Sequence, residues 1–134
     1  MFIFMSKTVK FTEEQLEILI GSDNYTRLCG KIKVHHMGGS SHFKPKGKST
    51  WMEYWKDKWS EVQPYTVPCD SCNVEKPESE FVIGHMKDEN GNEYLYPVCK
   101  ECNDRYKNGQ EADHYFFARK SIIKNFDRND AENV

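Results

Sequence analysis

No stretch of this 134-residue chain is apolar for long enough to cross a bilayer as a helix, which takes about 20 residues. The apolar opening, Met1-Phe2-Ile3-Phe4-Met5, has no charged segment before it. It reads as an edge strand or a loose terminus and not as a secretory signal. A disulfide framework is also missing. There are five cysteines, and four of them stand in CxxC pairs, which fits metal ligation in a reducing compartment. A cytoplasmic location is expected. The odd cysteine, Cys29, reads as a small buried or half-buried residue.

An overall excess of positive charge is lacking too: the formal net charge is −2. That figure hides an asymmetry. Residues 1–60 hold 10 Lys/Arg and 6 Asp/Glu, and residues 61–134 hold 9 and 15, so the halves carry +4 and −6. Nucleic-acid binders grip phosphate through basic patches. If this chain holds a nucleic acid, its N-terminal half does much of the gripping. The hydrophobic fraction, 37%, supports only a modest core, and a metal staple would matter to it.

What is present centres on residues 69–103. Cys69-Asp70-Ser71-Cys72 and Cys99-Lys100-Glu101-Cys102 are separated by 26 residues. Two residues between cysteines let one turn aim both sulfurs at one ion. Two such turns complete the tetrahedral thiolate shell that zinc prefers. Between the pairs, Phe81-Val82-Ile83 and Tyr94 to Val98 read as strands. Asn90-Gly91 is a strong turn dipeptide that joins them into a hairpin. Cys99 and Cys102 then open a helix that runs to about Asn108 and stops at Gly109. The start of a helix suits thiolates, because its free amides favour negative charge.

Upstream, Thr12 and Gln15 spell a capping box, with Phe11 and Leu16 as its hydrophobic staple. The helix they start stops at Gly21. Lys31 to Val34 alternates as a short strand. His35, His36 and His42 follow in a Gly/Ser-rich stretch, where a flexible loop with incidental histidines is favoured over a second metal site. Lys44, Lys46 and Lys48 form a compact basic loop. It is a candidate for phosphate contact or a solvated lysine loop. Thr50 caps a second helix, whose Trp51, Tyr54, Trp55 and Trp59 share one face; core is favoured over a base-stacking platform. Pro64 and Pro68 bound the linker into the cysteine module. From Asp113 on, Tyr115, Phe116, Arg119, Ile122, Ile123 and Phe126 recur at helical spacing, which predicts a C-terminal amphipathic helix. A strand over Tyr115–Ala118 is the alternative. Residues 127–134 read as polar and frayed.

Knuckle, hairpin and ligand-bearing helix in that order form a treble clef. Cys69-x2-Cys72, Gly84-His85-Met86 and Tyr94-Leu95-Tyr96-Pro97-Val98-Cys99-x2-Cys102-Asn103 resemble the zinc-stabilised HNH-type (ββα-metal) endonuclease domain, in its single-histidine branch. The resemblance covers about residues 50–108. It implies an α+β fold: a small zinc-stabilised treble clef with an N-terminal helical extension over 1–48, and a domain over 49–134. It also implies that His85 lands on the general base and Asn103 on the helix ligand of a second, catalytic ion, often Mg2+. Two positions depart from the pattern. Gly84 stands where a metal-ligating side chain is usual, and Tyr94 where an asparagine orients the base. Asp88, Glu89 or Asn90 would have to replace the missing ligand from the hairpin loop.

Three functions follow as expectations. A zinc-held binding module would present its surface to a nucleic acid or a protein without turnover. An active endonuclease would use His85. A phage-type inhibitor or structural subunit would dock on a host or partner protein, since stand-alone proteins of this pattern are familiar in bacteria and phages.

Overall fold

The structure is a computed structural model, and it describes residues 12–21, 30–37, 43–106 and 114–133. Helix α1 (Glu13–Ile20) begins as the capping box requires. The Thr12 amide donates to Gln15 Oε1 at 2.9 Å and the Gln15 amide to Thr12 Oγ1 at 3.1 Å. It ends at Gly21, whose φ of +81° is the left-handed conformation that closes a helix. Helix α2 (Trp51–Lys58) is capped by Thr50, whose hydroxyl accepts from the Glu53 amide at 3.1 Å. No helix among the described residues is long and apolar enough to cross a membrane.

A five-stranded antiparallel sheet organises the rest. Its strands are β1 (Lys31–His36), β3 (Phe81–Asp88), β4 (Glu93–Cys99), β5 (Tyr115–Arg119) and β6 (Lys124–Asn125), in the order β5-β1-β3-β4-β6. β3 and β4 form the expected hairpin, with Gly84 opposite Tyr96 and His85 opposite Leu95. The turn carries Asn90-Gly91, Gly91 at φ +85°, and Asp88 Oδ1 accepts from the amides of Asn90 and Asn92. Helix α3 (Lys100–Tyr106) follows β4 directly. Its expected end at Asn108 and Gly109 lies outside the described residues.

In the middle of the hairpin the two faces bury different sets, while Phe81 and Cys99 at its open end join the cysteine cluster. Ile83 and Leu95 pack with Trp55, Trp51, Tyr54 and Trp59 under α2, so the Trp-rich face is core. Trp55 is fully buried and its indole N–H donates to the Val62 carbonyl at 2.9 Å. The opposite face carries Met86, Tyr96 and Val98, packed with the cysteines, Tyr106 and Phe116.

The expected C-terminal helix is absent. Tyr115–Arg119 is a strand paired with β1 over five residues, from Lys31↔Arg119 to His35↔Tyr115. Phe116 and Ala118 are buried while Tyr115 points outward, a period of two. The helix-like spacing arises from one tight turn after the strand. There the amides of Ile122 and Ile123 both donate to the Arg119 carbonyl, which brings both isoleucines back to the core. Residues 127–133 are not frayed either. A short 3-10 turn (Arg128–Asp130) leads into β7 (Ala131–Asn133), which pairs with β2 (Phe43–Pro45). Both N-terminal strands therefore hydrogen-bond to partners beyond residue 80: β1 to β3 and β5, β2 to β7.

Candidate metal centre and the histidine sites

Cys69–Cys72 is a turn with no regular structure. The Asn73 amide closes it on the Cys69 carbonyl at 2.7 Å, with Asn73 at φ +60°, and the Cys69 amide donates to the Val74 carbonyl at 3.1 Å. Across from it, Cys99 ends β4 and Cys102 sits in the first turn of α3. The four sulfurs lie within 4.8 Å of one another. Cys72 Sγ and Cys99 Sγ are 3.8 Å apart. A tetrahedron with metal–sulfur bonds of about 2.3 Å has edges of about 3.8 Å, whereas a disulfide needs about 2.05 Å. Among the described residues this is the one cluster of three or more Cys, His or carboxylate side chains arranged to hold a metal ion.

The electrostatics fit a cation. The Cys69 thiol is pulled down to about 4 by the Cys102 thiol beside it, against the cost of burial, and by the amides of Cys99, Cys72 and Ser71. The Cys99 amide lies 3.4 Å from Cys69 Sγ. The same contact pushes the Cys102 thiol up, and burial pushes Cys72 up. One thiolate is thus favoured and a second opposed, so four thiolates require a divalent ion such as zinc among them.

The histidines before the lysine loop do not gather round a second ion. His36 Nε2 is 2.8 Å from the buried Ser71 Oγ, inside the first CxxC turn. His114 Nε2 lies 3.5 Å from the same Ser71 Oγ. His114 Nε2 donates to the Ser71 carbonyl at 2.9 Å. Tyr106 stacks on both rings, at 4.6 Å each. Such contacts orient the ligands of a metal and tune their charge. His35 bonds the His36 carbonyl through Nδ1 and meets Tyr115 edge-on. His42 and Cys29 lie outside the described residues. No local spacing could have revealed this cluster, because Ser71 is 35 and 43 residues from the two histidines.

His85 and Asn103 are not brought together. A Cβ on Gly84 would stand 3.5 Å from Asn103 Oδ1, so Asn103 is on the Gly84 face. His85, the next residue, points to the other face. There its ring lies 4.1 Å from that of Phe126, centroid to centroid. Its Nε2 is 3.2 Å from Glu93 Oε1, but the oxygen is off the ring N–H line, so Nε2 is buried with no hydrogen bond. Glu93 is instead gripped twice by Arg128, at 3.0 and 2.8 Å. Burial holds His85 down at about 4, and Glu93 only partly opposes this. Glu93 was legible in principle, since the hairpin register puts it on the His85 face beside Leu95. None of Asp88, Glu89 and Asn90 replaces the missing ligand. Asp88 braces the turn and accepts from the Tyr94 hydroxyl at 2.9 Å, and Glu89 pairs with Lys33.

Gly84 is fixed by packing. A Cβ there would meet Met86 Cε at 2.6 Å and Val98 Cγ2 at 3.0 Å. Gly84→Ala is expected to cost about 1–3 kcal/mol through this overpacking, read as a lower urea midpoint with an unchanged slope. An unchanged midpoint would mean that the face is loosely packed.

The lysine loop is largely matched by acid. Lys44 pairs with Glu132 at 3.2 Å and Lys48 with Asp57 at 3.8 Å, while the Lys46 amide donates to the Asp130 carbonyl. The fold and the centre together define a small α+β protein with a four-cysteine metal-binding site. Compared with known proteins, the chain matches no family model, and neither a curated protein nor a solved structure is similar to it.

Proposed function

We propose that the chain is a zinc-held treble-clef module of the HNH-like kind that binds a partner without cutting it. One observation carries the reading: the candidate base, His85, is buried on one face of the hairpin, while Asn103 lies on the other. A general base must come within hydrogen-bond reach of the water it activates, and a metal-assisted cut needs base and ion at one phosphate. Here Met86 and Val98 crowd the Gly84 face beside Asn103, and His85 faces Phe126. Zinc is the ion that best suits four cysteine sulfurs at tetrahedral spacing, and it is structural, since all four positions are taken by protein.

The test is incubation of the zinc-loaded chain with plasmid, single-stranded DNA and RNA in the presence of magnesium, manganese or nickel. No cleavage is expected. Nicking that depends on added metal and disappears in a folded His85→Ala variant would overturn the proposal.

A further inference from the structure

A groove of about 650 Å3 opens at the outer edge of the sheet, beside β6 and the end of α2. It shares no lining residue with the cysteine centre or with His85. Its size falls in the ~300–1,000 Å3 range of small-ligand sites. Lys58, Trp59, Tyr94, Lys120, Lys124 and Asp127 are among its walls. Three lysines thus line one concavity of a chain whose net charge is −2.

Their environments differ. Lys58 is anchored, at 3.1 Å from Asp130 and 3.0 Å from the Tyr54 hydroxyl. Lys120 and Lys124 have no carboxylate partner among the described residues. Asp127, the one acid in the wall, accepts from the Asn129 amide and caps the following 3-10 turn. With Lys58 paired to Asp130, Lys120 and Lys124 against Asp127 leave the wall with an excess of positive charge, which favours an anion.

The aromatic wall is equally fixed. Trp59 packs edge-on against Tyr54 and Trp55, with centroids 5.6 and 5.1 Å apart, so its indole plane is set before any ligand arrives. Lys58 and Lys124 stand over that ring at 5.2 and 6.0 Å. Lys124 is at the outer limit of a cation–π contact and can swing to a phosphate at little cost. A planar ring would take its place against the indole, as bases do on aromatic side chains.

We infer that this groove binds a nucleotide, with the phosphate held by Lys120 and Lys124 beside the anchored Lys58 and the base laid against Trp59. The groove has room for one such unit, free or borne by a single strand. This deepens the binding-module reading and rests on it for its biological sense, yet the two fail separately. Nicking by His85 would overturn that reading and leave the groove untouched.

Calorimetry on the full, zinc-loaded chain tests it, with adenosine monophosphate, inorganic phosphate and a short oligothymidylate as probes. The monophosphate is expected to bind saturably and more tightly than phosphate. A Lys120→Glu/Lys124→Glu variant should bind about tenfold or more weakly. A Lys44→Glu/Lys46→Glu variant should bind like the parent. Binding of the oligonucleotide alone would assign the nucleotide to a strand and keep the site. Equal affinity for phosphate and the monophosphate would overturn the role of Trp59. No saturable binding of any probe, or equal loss in both lysine variants, would overturn the groove as a site.

Discussion

Replacing Cys72 by serine is expected to empty the metal centre and to unfold most of the molecule. Serine removes one of four soft ligands, and a hydroxyl does not ionise to replace a thiolate near neutral pH. The consequence is large because little else holds the elements that the cysteines join. The first turn has no regular structure, and α3 is seven residues long, too short to be stable alone. Cys69, Cys99 and Cys102 are themselves part of the core on that face, packed with Tyr96, Val98 and Tyr106. Structural zinc contributes on the order of 10 kcal/mol, comparable with the whole ~5–15 kcal/mol stability of a domain. Elemental analysis should find one zinc per parent chain and none in Cys72→Ser, and the variant should lack a cooperative thermal transition. If the variant is insoluble, a strong chelator added to the parent gives the same reading through loss of near-ultraviolet dichroism. Parent protein free of zinc, or a chelated protein that melts like the parent, would sink the claim.

The elements written in short-range chemistry were legible in the sequence: the Thr12–Gln15 capping box, the Thr50 cap, the Asn90-Gly91 hairpin and the CxxC turns. Each depends on contacts within a few residues. For the C-terminal segment the spacing favours a helix, with a strand over Tyr115–Ala118 as the alternative. The strand is what forms: Ile122 and Ile123 follow a turn that imitates helical spacing, and only pairing with β1, some 80 residues earlier, decides the matter. The site divided along the same line. Ligand spacing identified the cysteines, whereas the separation of His85 from Asn103 follows from which hairpin face each helix covers. The histidine pair on Ser71 had no sequence signal at all. His36 enters from β1, His114 from just before β5, and the sheet order alone makes them neighbours.

Those buried histidines make the protein acid-sensitive. Burial holds His36 at about 3, with His114 and His35 adding repulsion, and holds His85 at about 4. In the unfolded chain both titrate near 6.5. Above that value neither state is protonated and the fold has its full stability. As pH falls below 6.5 the unfolded chain takes up a proton at each position while the native state refuses it, so stability is lost from about pH 6.5 down to about 4 for His85 and 3 for His36. Each contributes a slope of up to ~1.4 kcal/mol per pH unit in that window. Summed to the lower limits each loss is on the order of a few kcal/mol, a sizeable part of the ~5–15 kcal/mol of an ordinary domain. Metal thiolates also take up protons on unfolding, in parent and variants alike, so differences between proteins isolate the histidines. Urea unfolding between about pH 7.5 and about pH 4.5 is expected to show a shallower pH slope for His85→Gln and for His36→Gln, and the shallowest for the double variant. Glutamine suits both positions, since it carries no titrating group and its amide can hydrogen-bond Ser71 Oγ. Slopes identical to the parent's in both single variants would mean that these rings are protonated in the native state and that their burial is not as close as the structure has it.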